Sequence, residues 1–546
     1  MVEILLKRRN GALPKLRKLL KRHEPAIPEL AVPPLRYEPD PDDRLSQGQL
    51  ETHLWEAANL LRGKIDSSDF KHYIFALLFY KRLSDVWEEE YERRLLETRD
   101  PVLAEDPSEH RFLLPRGVLW NNVCRQEERI GERLNEAFRI IECSNPRLEG
   151  LFQEVDFANR ERFPDSTLGL LLRHFEKHRL RNSDVEPDLL GNAYEYLIAR
   201  FADDAGKKGG EFYTPKRVVR LLVECLQPEA GSSIYDPACG SGGMLLEAVK
   251  FLERYGGDGS SLRLYGQEMN LTTWTICRMN LFLHGIDDAS VERGDTLRGP
   301  RHVSAPGRLR RFDRVLANPP FSLKSWGHEI WRLGDPWGRD LYGCPPAQYG
   351  DLAFVQHMLA SLEPSGKLGV VLPHGILFRR RTEGTIRERL LREDLIEAII
   401  ALAPNLFYGT GVPACVVLIS RGKRPDRKGR VLFVDGTREV ASGKNQNHLS
   451  EENVARMVEA YHRFEDEPGF AQVVGLEEIE GRDFDLSIRH YVRPAATLER
   501  TECPGVIELA RVVRSGDATT TDLVSELRSL LEERPERSTD GEDSNG

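Results

Sequence analysis

The sequence has no long apolar run, and this absence limits the kinds of protein that it can encode. The apolar stretch Ile74–Tyr80 is far shorter than the roughly 18 consecutive apolar residues that indicate a membrane-spanning helix. The largely apolar residues 1–6 are followed by a basic run, where a secretory signal peptide would continue with an apolar core. We therefore expect no membrane association.

Cysteine is scarce and widely spaced. The 8 cysteines include no Cys-x-x-Cys pair, which is the spacing typical of zinc sites and of redox motifs. We expect neither a disulfide framework nor a metal site, and this composition is typical of a reducing cytosol.

The sequence also lacks an excess of basic residues. Its net charge is −10, whereas a protein that grips DNA mainly through its own surface is usually basic. If a nucleic acid is the substrate, we expect another component to supply much of the binding affinity. We expect the chain alone to bind DNA weakly and without sequence preference.

The chain divides by pattern into four segments. Residues 1–44 contain eight Lys or Arg within residues 1–23, followed by a proline-rich stretch. That pattern is typical of a basic arm, either solvated or in contact with nucleic acid, and an extended linker. Residues 45–182 carry apolar residues at helical spacing and predict an all-α domain. Residues 183–495 predict an α/β domain, and residues 496–546 predict a helical tail with a disordered end.

In the third segment, short apolar runs alternate with helical patterns. The predicted strands are 233–236, 262–268, 314–317, 368–372, 396–401 and 414–420. This alternation favours an α/β domain with a mainly parallel sheet. Such sheets bind ligands at the carboxyl ends of their strands, which is where the most distinctive strings of this sequence fall.

A glycine-rich turn follows the first of these strands. The string Asp236-Pro237-Ala238-Cys239-Gly240-Ser241-Gly242-Gly243 precedes a helical pattern, and glycine there lets the backbone approach a ligand closely. No Gly-Lys-Ser/Thr closes a P-loop, so a phosphate ligand is not favoured. A turn of this kind can be purely structural, but the complete string favours binding. We expect a Cβ at Gly242 to meet the ligand or to shift the backbone.

Two acidic residues follow the next strands. Glu268 ends the second strand, where a carboxylate can accept hydrogen bonds from both hydroxyls of a ribose. Asp295 follows a third strand, and its carboxylate could either accept from the exocyclic amine of a base or cap a turn. The sequence leaves both roles of Asp295 open.

The string Asn318-Pro319-Pro320-Phe321 follows the strand that ends at Ala317. The two prolines remove backbone donors, so the segment presents carbonyl acceptors. Asn318 adds a side-chain acceptor and Phe321 adds an aromatic face. Together they suit a planar group that carries an NH2. A rigid turn is the alternative for a bare tetrapeptide, but the position at a strand end favours function.

These strings resemble those of the modification subunits of type I restriction–modification systems, which are adenine-N6 DNA methyltransferases. The resemblance covers roughly 45–495. Besides the glycine turn and the Asn-Pro-Pro-Phe string, it includes 188–196 (DLLGNAYEY), 210–215 (GEFYTP), 373–378 (PHGILF), 406–413 (LFYGTGVP) and 484–488 (FDLSI). One departure is Arg379-Arg380-Arg381, where relatives often have smaller residues. Solvated charge and phosphate contact are the two roles considered for these arginines.

The resemblance implies a Rossmann-like class I methyltransferase domain that uses S-adenosylmethionine as methyl donor. It places the following residues at the cofactor: Glu211, Phe212, Tyr213, Thr214, Pro215, Lys216, Ser241, Gly242, Gly243 and Glu268. Asp236, Gly240 and Asp295, at the same strand ends, complete the expected cofactor residues. The resemblance assigns Asn318, Pro319, Pro320 and Phe321 to the reacting adenine. No metal is expected in the reaction, because a sulfonium is a good leaving group and positioning carries the catalysis.

The resemblance also implies the partners. The substrate is duplex DNA with its target adenine flipped out, because the amine is inaccessible in a stacked duplex. A separate specificity subunit would select the site, and we expect two copies of this chain per specificity subunit. A restriction or translocase subunit is a further candidate partner, and the expected location is the cytoplasm of a prokaryote.

Two alternative functions are considered. Protein glutamine methyltransferases use a similar Asn-Pro-Pro string, because a glutamine side chain also presents an NH2. They usually carry Tyr in place of Phe321 and lack the 210–215 segment and the long helical domain. A non-catalytic scaffold in a DNA-binding assembly is the other alternative, and the intact glycine turn and Asn318 count against it.

Overall fold

The structure is a computed structural model that describes residues 45–62, 70–125, 128–205, 213–407, 411–441 and 446–493. The predicted arm at 1–44 and tail at 496–546 lie outside the described residues, and so do Glu211 and Phe212. Within the described ranges, none of the helices has both the length and the apolarity that a membrane span requires.

The first part of the described chain is helical, as its periodicity predicts. Helix α1 (Gln47–Leu61) begins at a capping box, in which the Ser46 hydroxyl accepts from the Gln49 backbone N–H at 3.4 Å and the Gln49 side chain accepts from the Ser46 N–H at 2.9 Å. The other helices within the predicted 45–182 segment are α2 (Phe70–Thr98), α3 (Pro101–Ala104), α4 (Trp120–Cys124), α5 (Ile130–Ser144) and α6 (Asp165–Glu176). Helix α7 (Pro187–Ala205) follows, inside the segment predicted as α/β, and continues the helical part.

The second part contains eleven strands. They are β1 (Ser233–Asp236), β2 (Arg263–Glu268), β3 (Ser290–Arg293), β4 (Val303–Ala305), β5 (Arg308–Leu309), β6 (Phe312–Ala317), β7 (Leu362–Pro373), β8 (Ile396–Leu402), β9 (Ala414–Ser420), β10 (Arg430–Gly436) and β11 (Ala471–Gly475). Strands β4 and β5 form a separate hairpin, and the other nine form one sheet in the order β11-β10-β8-β9-β7-β6-β1-β2-β3. Only β9 and β11 run antiparallel to their neighbours, which confirms the mainly parallel sheet.

The strand bounds match the sequence pattern unevenly. Strand β9 has the predicted bounds, whereas β7 extends in both directions beyond the predicted 368–372. Strands β10 and β11 were not predicted. All but two residues of β10 are buried, whereas β11 is a five-residue edge strand with a mixed burial pattern that carries little sequence signal.

Helices cover both faces of the sheet. They are α8 (Lys216–Leu226), α9 (Gly243–Arg254), α10 (Leu271–Leu283), α11 (His328–Trp331), α12 (Asp351–Ala360), α13 (Gly375–Phe378), α14 (Thr382–Arg392), α15 (Glu451–Arg463) and α16 (Leu476–Glu480). Neighbouring strand residues enter different cores: Ile234 joins the core on one face, and Tyr235 joins the core on the other. The two-residue period of a strand produces this alternation.

The helical first part packs against helix α10. The Phe282 ring lies 5.8 Å, centroid to centroid, from Phe79 of α2. Arg278 donates to the Glu149 carbonyl at 3.1 Å, and the Tyr194 hydroxyl donates to the Ile276 carbonyl at 3.3 Å. The two parts therefore share one hydrophobic core, which reaches the helix that begins just after Glu268.

Three imidazole rings pack together where α1 meets the end of α6. His53 stacks on His174 with ring centroids 4.2 Å apart, and His178 lies 4.7 Å from His53. Burial, followed by the charges of His174, His178, Lys177 and Lys81, lowers the pKa of His53 from 6.5 to about 3. The folded chain therefore holds this imidazole neutral at pH values where the unfolded chain protonates it.

We expect acid to destabilise the fold through His53. The contribution of the His53 imidazole to the free energy of unfolding is complete above pH 6.5 and is lost as the pH falls toward about 3. The reason is that the unfolded chain then binds a proton at this imidazole and the folded chain does not. The slope from one such group is at most about 1.4 kcal/mol per pH unit. Urea unfolding of the wild type and of His53→Gln across this range measures the difference, and parallel stability–pH curves would contradict the expectation.

Candidate cofactor and catalytic site

The site lies at the carboxyl ends of β1 and β6, which pair in parallel near the centre of the sheet. Ile234 is in register with Arg314, and Tyr235 is in register with Val315. The chain leaves β1 toward β2 and β3 on one side, whereas β6 begins the other side of the sheet. A reversal of strand order opens a crevice at the strand ends, and in such sheets ligands bind there.

Backbone hydrogen bonds hold the glycine turn against β2. Cys239 N–H donates to the Gln267 carbonyl at 3.1 Å, and Gly242 N–H donates to the Cys239 carbonyl at 2.7 Å. Gly240 and Gly242 have φ values of +53° and +85°, which glycine adopts without strain. These two glycines are what allow the chain to turn directly from β1 into α9.

Two carboxylates flank the turn, of which Asp236 is buried and Glu268 is half-buried. Asp236 accepts from the Ala238 N–H at 2.9 Å, and burial, opposed by that hydrogen bond and reinforced by the charge of Glu268, raises its pKa to about 8. Glu268 accepts from the Gly240 N–H at 3.1 Å and from the Asn270 N–H at 2.8 Å, and burial raises its pKa. Both carboxyls lie at the crevice that the sheet order creates.

Asn318 follows β6, and only one of the two polar atoms of its side-chain amide is hydrogen-bonded. Its Nδ2 donates to Thr214 Oγ1 at 3.0 Å. Its Oδ1 is buried and has no hydrogen-bond partner among the described residues, although buried acceptors are usually paired. Thr214 therefore orients the amide so that an unpaired acceptor remains at this point.

The Asn-Pro-Pro-Phe string, 318–321, is the predicted catalytic string, and its remaining residues differ in exposure. Pro319 is buried and Pro320 is exposed. Phe321 is half-buried, and its ring centroid lies 5.8 Å from that of Phe407, with the rings edge to face. Phe321 is thus partly exposed, three residues after Asn318.

One cavity brings many of the predicted site residues together. The cavity and its open mouth together enclose about 720 Å³, part of which is open to solvent. Its walls include the predicted residues Tyr213, Thr214, Lys216, Asp236, Gly240, Ser241, Gly243 and Asn318. Predicted residues that the structure describes outside its lining are Pro215, Gly242, Glu268, Asp295, Pro319, Pro320 and Phe321.

The cavity also contains charged residues that sequence reasoning missed. Glu195 accepts from Lys216 Nζ at 2.9 Å and from Lys250 Nζ at 3.1 Å. Burial would raise the pKa of Glu195, but the two ammonium groups outweigh it and hold the pKa below its usual value. Glu195 lies in the 188–196 string, which was noted only as family resemblance, and Lys250 had no local signal. Among the described residues, no cluster of His, Cys, Asp or Glu could hold a metal ion.

Two predicted cofactor residues have other neighbours than expected. A Cβ at Gly242 would lie 2.9 Å from Cys277 Sγ on α10, so the residue backs onto the helix instead of facing the cavity. Asp295 caps a turn: one oxygen accepts from the N–H groups of Leu297 and Arg298 at 2.9 and 3.1 Å, and the other pairs with the Arg298 guanidinium at 3.0 Å. Its contact with a base stays a prediction.

The long loop after the catalytic string has its own small core. Trp326 and Trp331 are buried, and their ring centroids lie 5.3 Å apart. Arg339 is buried as well, pairs with Asp335, and donates to the Thr296 and Leu297 carbonyls. These residues pack the loop onto the domain.

Comparison with known proteins identifies the class. The fold is that of an α/β methyltransferase, and the family model described as N-6 DNA Methylase matches residues 185–500, more than half of the chain. A second model, the HsdM N-terminal domain, matches residues 50–175. The chain therefore belongs to the N-6 DNA methylase family, and it is an adenine-specific DNA methyltransferase.

Individual relatives narrow this to the methylase subunits of type I restriction enzymes. The HindI methylase subunit of Haemophilus influenzae is 34% identical over 384 residues, which cover 67% of this chain and 83% of the relative. The MjaVII methylase subunit of Methanocaldococcus jannaschii is 31% identical over 504 residues, which cover 88% and 84%. The crystal structure of a type I restriction-modification system methyltransferase subunit from Streptococcus thermophilus is 31% identical, with a TM-score of 0.73 over 82% of this chain and 100% of that one. The predicted family is confirmed, and it favours DNA over a protein glutamine as substrate.

The two adjacent glycines give a matched pair of variants. A Cβ at Gly243 meets nothing within 4 Å, and Gly243 lines the cavity. We expect Gly243→Val to keep the fold and to weaken S-adenosylmethionine binding roughly tenfold or more, since each tenfold corresponds to about 1.4 kcal/mol of lost contact. Calorimetric titration of the full chain measures the affinity.

Gly242→Ala is expected to act differently, because its φ of +85° and the close Cys277 Sγ make any side chain strained. A left-handed non-glycine residue costs roughly 1–2 kcal/mol, so thermal unfolding should show lower stability. Unchanged cofactor affinity in a folded Gly243→Val would contradict this placement of the cavity.

Proposed function

We propose that the chain transfers a methyl group from S-adenosylmethionine to the N6 amine of a flipped adenine in DNA. The observation that carries the proposal is the unpaired Oδ1 of Asn318 at the cavity wall. A buried acceptor without a donor is costly in the free protein, and an incoming N–H group removes that cost. The amine of adenine supplies such an N–H group.

The charges of the cavity fit S-adenosylmethionine. Lys216 and Lys250 share the Glu195 carboxylate, and this mixture of charges suits a ligand end that carries both an ammonium and a carboxylate. The buried Asp236, with its pKa of about 8, is favoured in its ionised form by a nearby positive charge, such as a sulfonium. Glu268, beside the turn, is proposed for the ribose hydroxyls.

When bound, S-adenosylmethionine supplies an electrophilic methyl group on a positively charged sulfur. The chain's own contribution is to hold the amine. Asn318 Oδ1 and the Pro319 carbonyl would accept its two N–H groups, which confines the nitrogen to one geometry with its lone pair toward the cavity. Positioning of this kind removes a large part of the entropic contribution to the activation barrier. The ring of Phe321 would stack on the flipped base.

The partners form part of the same proposal. The relatives are named as methylase subunits of type I restriction enzymes, and the net charge of −10 disfavours unaided binding to DNA. We propose that a specificity subunit selects the site, that two copies of this chain assemble with it, and that a restriction subunit can join them. Co-expression with the specificity subunit, followed by detection of N6-methyladenine in plasmid DNA, tests the function. Methylation of protein glutamine without adenine methylation would overturn it.

Asn318→Ala removes the proposed acceptor and leaves the cofactor cavity otherwise intact. By analogy with the loss of one oxyanion-hole donor, we expect the methylation rate to fall roughly 10²–10³-fold, or about 2.7–4 kcal/mol. Cofactor affinity should change little. Asn318→Asp keeps an acceptor but adds a negative charge, and we expect it to be impaired less than the alanine variant. Transfer of labelled methyl groups to DNA by the assembled complex measures both, and near-wild-type turnover of Asn318→Ala would refute the site.

Thr214 tests the orientation of the same amide. Thr214→Val removes the acceptor that fixes Asn318 Nδ2 at 3.0 Å, and we expect the rate at saturating cofactor to fall roughly 2- to 10-fold, the value of one hydrogen bond of about 0.5–1.5 kcal/mol. Thr214→Ser keeps the hydroxyl and serves as the matched control. Equal rates for the two variants would show that Thr214 does not position Asn318.

A further inference from the structure

A second segment leaves the sheet beside the catalytic string. Strand β6 pairs in parallel with β7, with Ala317 in register with Val370. Asn318 and the segment 374–381 therefore emerge at the same edge of the sheet. The segment contains helix α13 and the three consecutive arginines at 379–381.

The first of these arginines points inward and is tied to the catalytic string. Arg379 lies 3.5 Å from the buried carboxylate of Asp351, and its guanidinium lies 3.9 Å from the centre of the Tyr349 ring. The other oxygen of Asp351 accepts from the Ser322 N–H at 2.8 Å. Since Ser322 follows Phe321 directly, one carboxylate joins the two segments.

The backbone of the segment is fixed as well. The buried Arg387 donates to the Ile376 and Arg379 carbonyls, both at 3.0 Å. Arg381 has a φ of +60°, and its carbonyl accepts from the Thr385 N–H at 3.0 Å. The side chains on either side of Arg379 are therefore presented from a rigid support.

Those side chains are exposed and comprise one aromatic ring and two basic groups. Phe378 is 49% exposed, which is unusual for a large aromatic residue. Arg380 and Arg381 are exposed and form no ion pair with any described residue. Two unpaired positive charges at this edge stand out in a chain whose net charge is −10.

We propose that Phe378, Arg380 and Arg381 form a contact surface for the DNA backbone next to the target base. The arginines would bind phosphates, and the Phe378 ring would provide an uncharged contact to the adjoining sugar and base faces. This inference rests on the proposed function, because it is the flipped adenine at Asn318 that brings the duplex to this edge. The DNA backbone suits this surface because its negative charge complements the two arginines, and because the surface adjoins the catalytic string.

The test is the salt dependence of DNA binding by the full chain, measured by fluorescence anisotropy with a labelled duplex. For Arg380→Ala/Arg381→Ala, the slope of log affinity against log salt should fall by about 1.8, because each lost phosphate contact removes about 0.9. Phe378→Ala should weaken binding at every salt concentration and leave the slope unchanged. Unaltered S-adenosylmethionine affinity shows that the variants are folded.

Arg308→Ala/Arg311→Ala is the matched control. Both residues are exposed and form no ion pair with described residues. Arg308 lies in β5 and Arg311 directly precedes β6, so both come before the amino end of β6, the end opposite Asn318. The control removes the same charge and should leave the slope near the wild-type value. An equal fall of the salt slope in both double variants would overturn the proposal. A loss of specificity-subunit binding without a change in DNA binding would also overturn it, in favour of an acidic protein partner.

The proposed function is tested separately, because the binding slopes do not depend on catalysis. If the wild-type complex methylates adenine while the Arg380/Arg381 variant keeps the wild-type slope, only the contact surface is wrong. If the wild-type complex transfers no methyl group to adenine, the proposed function itself fails.

Discussion

The parallel pairing of β1 with β6 is the constraint on which the site depends. Ile234 and Tyr235 of β1 are in register with Arg314 and Val315 of β6, so both strands end at the same edge. The glycine turn and the Asn-Pro-Pro-Phe string are distant in sequence, yet each leaves the sheet at this edge. Because the strand order also reverses here, the crevice between the two halves is open to ligands.

Around this crevice most buried polar groups are paired, and Asn280 Oδ1, His284 Nε2 and Asn318 Oδ1 are among the exceptions. Arg339 and Asp351 are buried charges with their partners in place, and they hold the loops on either side of the catalytic string. Such buried charges are tolerated only when they are hydrogen-bonded. Asn318 differs, because its Oδ1 is buried without a partner. Asn318 lines the cavity, and an unpaired acceptor on a rigid cavity wall suits positional catalysis, since it needs no reorganisation when the substrate arrives.

The glycine turn was well predicted because its signal is local. Gly240 and Gly242 adopt positive φ, which favours glycine whatever the rest of the fold does. The direction of each side chain was not local information. Gly242 faces Cys277 of α10, and Gly243 lines the cavity, although the two are adjacent in one string. Likewise, Glu195 and Lys250 come from separate helices, α7 and α9, and their ion pair exists only because both helices lie beside the same turn.

The sequence by itself determined the α/β class, most of the strands, the helical first part, and the strings at the strand ends. These follow from periodicity, glycine placement and proline chemistry, which act over a few neighbouring residues. Only the tertiary structure decided that Thr214 orients Asn318, that Asp295 caps a turn, and that Arg379 turns inward while Phe378, Arg380 and Arg381 remain exposed. The physical reason is that hydrogen-bond pairing and burial are set by contacts between elements far apart in the chain, and no local pattern encodes which of several polar side chains will find a partner.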